Sequence, residues 1–426
     1  MERFLLIVRL AGRNLRRQLR RSLLTASAVV LGVGLLMFVR AWEAGAHVMY
    51  VESATRMGTG HVAMEHPAFM GSRELEDRIP ASTLARIREA VAGAADPGDL
   101  LAVLPRITVG GLGQSASSSI PLQVSGVDPG AEAPVSFFVD KVEAGRYLEP
   151  DDRLEAVVGA GVAERLRLEL GSRLVLMVQG VDGELESQLV RVEGIFRTGI
   201  PEVDRGVVHL PLATAQGWLG MEEDVTSVNV VLASDRHTEP VARAVRSALV
   251  EDGVGEDQVA VRPWWEAMPD LHAGLRADAV QTYIMLLVLL GIVGLAVVNS
   301  VLMAVLYRTR EFGVLRALGL NRRSVVGMVM VEGTLLTLVS GILGMGLGLL
   351  ISLGVFRNGL DISVLLSEGD LAFGGAVIDP VIFPVVQRVD VLAIFAIVVT
   401  IGILASIYPA WQASRIAPDE AMKSEN

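Results

Sequence analysis

The chain of 426 residues contains no cysteine and only two lysines, Lys141 and Lys423. Without cysteine there is neither a disulfide framework nor a thiolate metal site. A phosphate-binding P-loop needs a lysine that follows glycines and precedes serine or threonine. Neither lysine has that setting, since Lys141 lies in Val-Asp-Lys-Val and Lys423 in Met-Lys-Ser. The sequence therefore predicts that this chain hydrolyses no ATP by itself.

The distribution of charge and of histidine excludes two further classes of function. Between Arg40 and Asp278, 21 basic and 37 acidic residues give a net charge of −16, which argues against nucleic-acid binding. His61 and His66 are five residues apart, with Glu65 beside His66. A zinc-binding helix spaces its histidines four apart. We interpret both histidines as structural surface residues and predict neither a metal site nor a catalytic constellation.

Long uncharged stretches determine the predicted architecture. Residues 22–39, 279–307 and 391–413 carry no charge, and residues 324–356 carry only Glu332. Each stretch can cross the hydrocarbon core of a bilayer, which takes roughly 20 apolar helical residues. The sequence thus predicts an α-helical membrane protein with four transmembrane helices and one large domain between the first and second spans.

Arginines predict the orientation of these spans. Residues 1–21 contain seven arginines against Glu2, in a basic amphipathic pattern, and residues 308–323 contain five arginines against Glu311. Positively charged short segments stay on the cytoplasmic side. Both segments, and with them the two termini, are predicted to be cytoplasmic. The acidic segment 357–390 and the large domain are predicted to be external.

The large segment between the first two spans has an α+β pattern. The first helix is expected to continue past Val48 toward Gly58, because no proline intervenes. Asp182-Gly183 lies between two β-rich runs and predicts a hairpin. A capped helix is expected to begin at Thr238, with Pro240 in its first turn. Strands are predicted at 120–127, 174–179, 188–196, 206–210 and 226–232.

The third predicted span contains a carboxylate and several glycines. An unpaired carboxylate is costly inside a membrane, so pairing of Glu332 with an arginine of the cytoplasmic loop or the N-terminal helix is favoured over a proton-carrying role. Gly344 and Gly348 form a close-approach motif. Whether the approaching helix belongs to the same chain or to a second copy stays open. Packing is the predicted role of Gly341, Gly344, Gly346 and Gly348.

Residues 307–319, with the sequence YRTREFGVLRALG, are the most specific signal in the chain. A short helix here would place Phe312, Leu315 and Leu318 on one face, with charges beside them for a partner. The segment is either a basic loop that obeys the orientation rule or a docking helix for a cytoplasmic motor. The spacing alone does not separate these alternatives.

Four motifs together resemble the permeases of type VII ABC transporters, which include the Lol-type lipoprotein-releasing permeases, the MacB-like exporters and the FtsX-like division proteins. They are RNLRR at 13–17, TREFGVLRALG at 309–319, EG at 332–333 and YPAWQASRIAPDEA at 408–421. Four shorter segments look most like the Lol-type permeases: GHV at 60–62, SGVDP at 125–129, GRYL at 145–148 and GIFRTG at 194–199.

The resemblance implies a permease that works by mechanotransmission in the bacterial inner membrane. ATP and Mg²⁺ would be bound by two separate ABC ATPase subunits, and no cofactor by this chain. Further implied partners are a second permease copy or paralogue, a periplasmic lipoprotein carrier or adaptor, and membrane lipid. The cargo would be a lipoprotein or a lipid-like molecule. Two alternatives remain: an efflux permease that drives an adaptor and outer-membrane duct, and a regulator of a cell-wall hydrolase.

The implied layout has nine parts. They are a cytoplasmic amphipathic helix (1–21), the first span and stalk (22–47), a periplasmic α+β domain with Porter and Sabre-like subdomains (48–270), a stalk and the second span (271–307), a coupling loop (308–323), the third span (324–356), a periplasmic loop (357–390), the fourth span (391–413) and a cytoplasmic tail (414–426).

The resemblance also implies two sets of functional residues. Coupling to the ATPase is assigned to Arg308, Arg310, Glu311, Phe312, Leu315, Arg316, Leu318 and Gly319. Residues that would face lipid or cargo are Leu35, Met37, Phe38, Trp42, Met285, Leu286, Leu289 and Ile292. Ordinary lipid-facing positions explain the second set equally well, residue by residue.

Overall fold

The computed structural model describes residues 19–361, 372–373, 376–377 and 381–415. The chain divides into two compact units. Among the described residues, the first comprises 19–47, 277–361 and 381–415, and the second comprises 48–276, 372–373 and 376–377. Most of the predicted N-terminal amphipathic helix, much of the predicted loop 357–390 and most of the predicted tail lie outside the described residues.

The described α-helices follow one another in chain order. They are α1 (Leu19–Ala54), α2 (Phe69–Ser72), α3 (Ala81–Ala94), α4 (Pro129–Glu132), α5 (Phe137–Asp140), α6 (Ala160–Leu166), α7 (Pro201–Asp204), α8 (Leu212–Leu219), α9 (Thr238–Glu251), α10 (Trp264–Ala267), α11 (Pro269–Tyr307), α12 (Thr309–Ala317), α13 (Arg322–Leu350) and α14 (Arg388–Arg415). Single π-helical turns follow α1 (Thr55–Thr59) and α13 (Ile351–Val355), and a 3₁₀ turn (Asp235–His237) precedes α9.

The strands are β1 (Val62–Glu65), β2 (Leu100–Gln114), β3 (Ser119–Val127), β4 (Val142–Gly145), β5 (Glu155–Gly159), β6 (Arg173–Gln179), β7 (Leu185–Phe196), β8 (Val207–Pro211), β9 (Ser227–Leu232), β10 (Ala260–Pro263), β11 (Leu360–Asp361), β12 (Ala372–Phe373), β13 (Ala376–Val377) and β14 (Val381–Ile382). The first ten form one sheet in the order β10-β1-β9-β2-β3-β8-β5-β7-β4, with β6 paired to β2 and β7. The sheet is mixed, because β3–β8 and β5–β7 are parallel and the other pairs are antiparallel.

Most of the predicted elements of the second unit are confirmed. The predicted hairpin is β6–β7, which pairs from Arg173 with Arg191 to Gln179 with Leu185, and Gly183 in its turn has a φ of +76°. The expected strands at 120–127, 206–210 and 226–232 are β3, β8 and β9. The expected helix is α9, but its side-chain cap is absent. The Thr238 hydroxyl instead donates to Asp235 Oδ1 at 3.1 Å.

Apolar residues bury the helices of the second unit against the sheet. One cluster joins α3 and α9 to β1, β9 and β10, with Ile87, Val228, Val230 and Val245 fully buried. A second cluster lies among β2, β3, β5, β6, β7 and β8 with α6 and α8. Full burial of such a side chain stabilises a fold by about 1.5–3 kcal/mol. These two clusters therefore hold the sheet and its helices together.

Four helices of the described residues are long and apolar enough to cross a membrane. They are segments Ala26–Thr59, Pro269–Tyr307, Arg322–Val355 and Arg388–Arg415. Small or β-branched side chains fill the interior of the first unit, among them Val33, Val297, Val329 and Val398. Large apolar residues such as Leu287 and Leu392 are exposed on its outside, as expected for helices in lipid.

The glycines of α13 allow two other helices of the same chain to approach closely. A Cβ on Gly344 would lie 2.8 Å from the Val30 carbonyl oxygen of α1, and a Cβ on Gly348 would lie 2.7 Å from that of Gly34. Gly341 meets Val398 of α14, whereas Gly346 has nothing within 4 Å of its Cβ position. The glycines of the motif therefore pack within the chain.

This packing predicts that Gly348→Val destabilises the protein and Gly346→Val does not. A valine at 348 would press on α1, and overpacking of this kind costs about 1–3 kcal/mol. Both changes alter helix propensity equally, so the second variant is a matched control. The thermal unfolding midpoint of the detergent-purified chain is the measurement. Equal midpoints for the two variants would contradict the packing.

Candidate functional site

A short helix, α12, lies between two long helices. It follows α11 after a break at Arg308, whose φ and ψ are −107° and 16°. It ends at Ala317, and Gly319 two residues further on has a φ of +98°, which glycine adopts most readily. Asn321 then starts α13, because its side chain accepts a hydrogen bond from the Ser324 N–H at 2.8 Å. The sequence itself thus sets both ends of α12.

The inner face of α12 is anchored to its own chain. Phe312 is 1% exposed and lies in the same apolar cluster as Val325 and Ala413, with Leu315 packed against that cluster. The prediction that Phe312 faces a partner is therefore wrong. The spacing placed Phe312, Leu315 and Leu318 on one face, but only Phe312 and Leu315 pack inward, where they hold α12 in place. The predicted position of Leu318 beside them is wrong, because it is 80% exposed.

The outer face of α12 presents a different set of residues. Arg310, Val314 and Leu318 follow at intervals of four, which places them on one side of a helix. Val314 is 45% exposed and Leu318 is 80% exposed. Of the predicted coupling residues, Arg310, Glu311, Leu318 and Gly319 are exposed, and Arg316 is half-buried. Val314 was missed, although its spacing from Arg310 and Leu318 indicates it.

Arg308 joins three helices through ion pairs. Its Nε lies 2.8 Å from Glu311 Oε2 of α12, and its Nη1 lies 2.8 Å from Glu332 Oε2 of α13. The guanidinium also lies over the Phe312 ring, 5.2 Å from its centroid. The pairing expected for Glu332 with a loop arginine is thus present. Arg308 itself is buried, so the prediction that it offers charge to a partner is wrong.

A second arginine joins helices of the first unit far from α12 in the chain. Arg40 of α1 donates from Nη2 to Asp390 Oδ1 of α14 at 3.0 Å and pairs with Glu43. Its guanidinium lies 5.8 Å from the centroid of the Tyr283 ring of α11. This cluster was not predicted from the sequence. Its only signal is that Arg40 ends one uncharged run and Asp390 precedes another.

The structure divides the predicted cargo-facing residues. Leu35, Met285 and Ile292 are exposed, and Phe38, Trp42 and Leu289 are half-buried. Met37 is 1% exposed and Leu286 is 8% exposed, because both lie in the apolar interior of the first unit. Met37 fills the space beside Gly348. These two residues therefore face neighbouring helices, and their predicted position on a cargo-facing wall is wrong.

The second unit contains a cleft of about 660 Å³ on one face of the sheet. Buried small polar side chains form part of its floor, including Ser125, Ser227 and Asn229. Arginines and glutamates both line it, so it has no strong preference for one sign of charge. The residues concerned are Glu65, Arg73, Arg106, Glu202 and Arg262.

Two histidines of this unit are buried and uncharged. Burial, which disfavours the imidazolium, lowers the pKa of His61 to about 4 and that of His209 to about 3. His61 Nδ1 accepts the Leu232 N–H at 3.1 Å, and His209 Nδ1 lies 2.8 Å from the Tyr147 hydroxyl. His61 is thus structural but not at the surface as predicted. Within the described residues no cluster of ligands for a metal occurs.

Comparison with known proteins identifies the class of the chain. Residues 22–248 match the family model of the MacB-like periplasmic core domain, and residues 283–418 match that of the FtsX-like permease C-terminal region. The chain is an ABC transporter permease. It belongs to the MacB- and FtsX-like type VII family and is close to the Lol permeases.

Individual relatives are distant. The lipoprotein-releasing system transmembrane protein LolC of Neisseria meningitidis serogroup B is 25% identical over 351 residues, which are 76% of this chain and 79% of that protein. The macrolide export ATP-binding/permease protein MacB of Agrobacterium fabrum is 22% identical over 97% of this chain and 60% of that protein. The extracellular domain of the transporter YknZ aligns with a TM-score of 0.35 at 15% identity, over 47% of this chain and 98% of that structure.

These relatives and the four apolar helices point to an inner-membrane protein with a periplasmic domain. Its relatives are permease subunits of ABC transporters, so ATPase partners follow in general. The two family models that match the chain describe a periplasmic core domain and a permease region.

Buried His61 predicts a dependence of stability on pH. In the unfolded chain the imidazole of His61 has a pKa of about 6.5. Between that pH and about pH 4, the unfolded chain binds a proton at His61 and the folded chain does not. The free energy of unfolding should therefore decrease as the pH is lowered through this window. This group accounts for up to about 1.4 kcal/mol per pH unit. Above pH 6.5 neither state binds this proton, so His61 no longer lowers the stability of the folded chain.

The variant His61→Asn keeps an acceptor near Leu232 but has no charge to gain. Its melting temperature should therefore decline less than that of the wild type between pH 7 and pH 5, while His209 maintains a residual slope. Differential scanning fluorimetry of the purified full chain measures both. Parallel decline of variant and wild type would exclude His61 as a source of the pH dependence.

Proposed function

We propose that this permease subunit works by mechanotransmission, with α12 as the docking helix for a separate ATPase subunit. The observation that carries the proposal is the division of α12 into an anchored face and an exposed face. Phe312 and the Arg308 ion pairs hold one side to α11 and α13. Arg310, Val314 and Leu318 leave the other side available.

An anchored helix of this kind suits the transmission of force. If a motor moved Leu318, the displacement would pass through Phe312 into the apolar interior and through Arg308 to Glu332 in α13. A floating loop would absorb the same displacement in its own backbone. We propose that two ATPase subunits bind ATP and Mg²⁺ beneath a pair of permeases, either two copies of this chain or this chain and a paralogue.

The arginine distribution supports the orientation that this model needs. Five arginines in residues 308–323 and seven in residues 1–21 favour a cytoplasmic location for α12 and for both termini. The domain at 48–270 would then be periplasmic, with the ends of α1 and α11 as stalks. The absence of a P-loop lysine supports placement of ATP hydrolysis on the partner subunit.

For cargo, we propose a lipoprotein or another lipid-like molecule taken from the outer leaflet and passed to a periplasmic carrier. The names of relatives support this, since LolC and LolE are described as transmembrane proteins of a lipoprotein-releasing system. Exposed Leu35, Met285 and Ile292 offer apolar contact. MacB, a macrolide exporter by name, favours efflux as a second candidate.

The docking proposal predicts that Leu318→Asp weakens binding of the ATPase. A carboxylate buried in the contact costs about 1–3 kcal/mol, and the change leaves the anchored face of α12 intact. Co-purification of the ATPase with tagged permease, and ATP turnover of the complex, should both fall. Val250→Asp is the control, because Val250 is also an exposed apolar residue but lies on α9 of the second unit.

Two results would count against docking through α12. One is an unchanged complex with Leu318→Asp and Val314→Asp combined, which would make the segment a topology signal alone. The other is ATP turnover by the permease purified without its ATPase partner.

The cargo proposal predicts what a photo-crosslinking residue at Ile292 captures. It should capture lipoprotein when ATP is absent, and ATP should release that product to the soluble carrier, because burial of acyl chains contributes about 0.8 kcal/mol per CH₂. Leu404 on α14 is the control position, since it is equally exposed and apolar. Capture of phospholipid alone at both positions would favour efflux instead, if a strain from which the gene has been deleted is also sensitive to drugs.

A further inference from the structure

The end of α1 meets the sheet through a turn that glycine makes possible. The helix passes into the π-helical turn Thr55–Thr59, in which Gly58 has a φ of +155°, and Gly60 follows with a φ of +66°. The Gly60 N–H donates to the Thr55 carbonyl at 3.0 Å, and the His61 N–H donates to that of Val230 at 2.7 Å. The chain thus enters β1 with its backbone held against β9.

Arg106 of β2 lies directly beneath this turn. It is 5% exposed, and its Nε and Nη2 lie 2.6 and 2.5 Å from Glu132 Oε1 at the end of α4. Its Nη1 points the other way and donates to the Met57 carbonyl at 3.5 Å. A Cβ on Gly58 would collide with that same nitrogen. One guanidinium of the sheet therefore contacts both α4 and the turn that follows α1.

The short helix α10, which directly precedes α11, is fixed at the same place. The Trp264 N–H donates to the His61 carbonyl at 2.9 Å, and the Trp264 indole N–H donates to Asp235 Oδ1 at 2.6 Å. Apolar contacts then join the two long helices: Val51 and Ala54 of α1 share a buried cluster with Leu271 and Leu275 of α11. Both helices therefore meet the sheet at one joint.

We infer that Arg106 is a positioning residue of the transport cycle, which locks the end of α1 to the sheet so that movement of α1 is passed to the domain. This inference rests on the proposed mechanotransmission. The three-way contact uses the fork of the guanidinium, which directs separate N–H groups to Glu132 and to Met57. A lysine has one nitrogen, and it would keep the charge for Glu132 but lose the contact with Met57.

The decisive variant is therefore Arg106→Lys, since it retains the ion pair and avoids leaving Glu132 buried and unpaired. Arg78→Lys is the matched control. Arg78 Nε lies 2.7 Å from Asp224 Oδ2 in the same unit, and no contact described for it reaches residues 54–60. Each variant is purified as the full chain in complex with its ATPase, and its melting temperature is measured first.

Two measurements follow on the complex. Because the chain has no cysteine, spin labels can be placed without background at Glu52→Cys on α1 and Glu164→Cys on α6, both exposed. The distance distribution between them should be narrow in the wild type and in Arg78→Lys, and broad in Arg106→Lys. Cargo released per ATP hydrolysed should fall by about fivefold or more in Arg106→Lys, within the usual range of coupling effects, and should be unchanged in Arg78→Lys.

The outcomes separate this inference from the function on which it rests. A narrow distribution in Arg106→Lys, or a broad one with normal release per ATP, overturns the role of Arg106 while ATP-driven release stands. If the wild type releases no cargo with ATP, the proposed function is overturned instead. The distance distribution then still tests whether Arg106 holds the end of α1 to the sheet. Should Arg106→Lys fail to fold, Gly58→Ala, which pushes on the same guanidinium, provides the same two measurements.

Discussion

A charge removed from water costs several kcal/mol unless an opposite charge meets it. Three arginines of this chain lie where elements of structure meet, two of them buried and Arg40 half-buried. Arg308 lies among α11, α12 and α13, and Arg40 lies between α1 and α14. Arg106 lies between β2, α4 and the end of α1. Each has a carboxylate partner on another element. The relative placement of those elements is therefore fixed by the requirement that the charge be paired.

Between such points the helices of the first unit are held by contacts of another kind. Valines and glycines at the interfaces of α1, α13 and α14 provide dispersion and close approach. These contacts have little directional preference, so they tolerate small shifts of one helix along another. Ion pairs have a defined geometry and do not tolerate such shifts. A bundle built in this way is stiff where its charges lie and more compliant between them.

The sequence predicts well whatever depends on local pattern. Hydropathy located all four long helices, and Asp182-Gly183 located the hairpin, because these signals lie within a few residues of the elements they specify. It predicts poorly which side of an element is covered. Phe312 has the spacing of a docking residue, but packing by α13 and α14 buries it. His61 and Met37 are likewise buried by residues distant in the chain, and no local pattern records those neighbours.

The buried arginines also explain why motion at one end of a helix need not dissipate along it. An α-helix resists stretching because each backbone hydrogen bond spans only one turn, so α1 and α11 can carry a displacement over their length if both ends are held. The Arg308 pairs hold the end of α11, and the joint at Arg106 and His61 holds the end of α1 together with the start of α11. A helix free at either end would rotate in place and move nothing attached to it. In the proposed mechanism, the contacts of Arg308 with Glu332 and of Arg106 with Met57 would let these helices act as levers, so that coupling would depend on a few guanidinium groups rather than on the apolar spans.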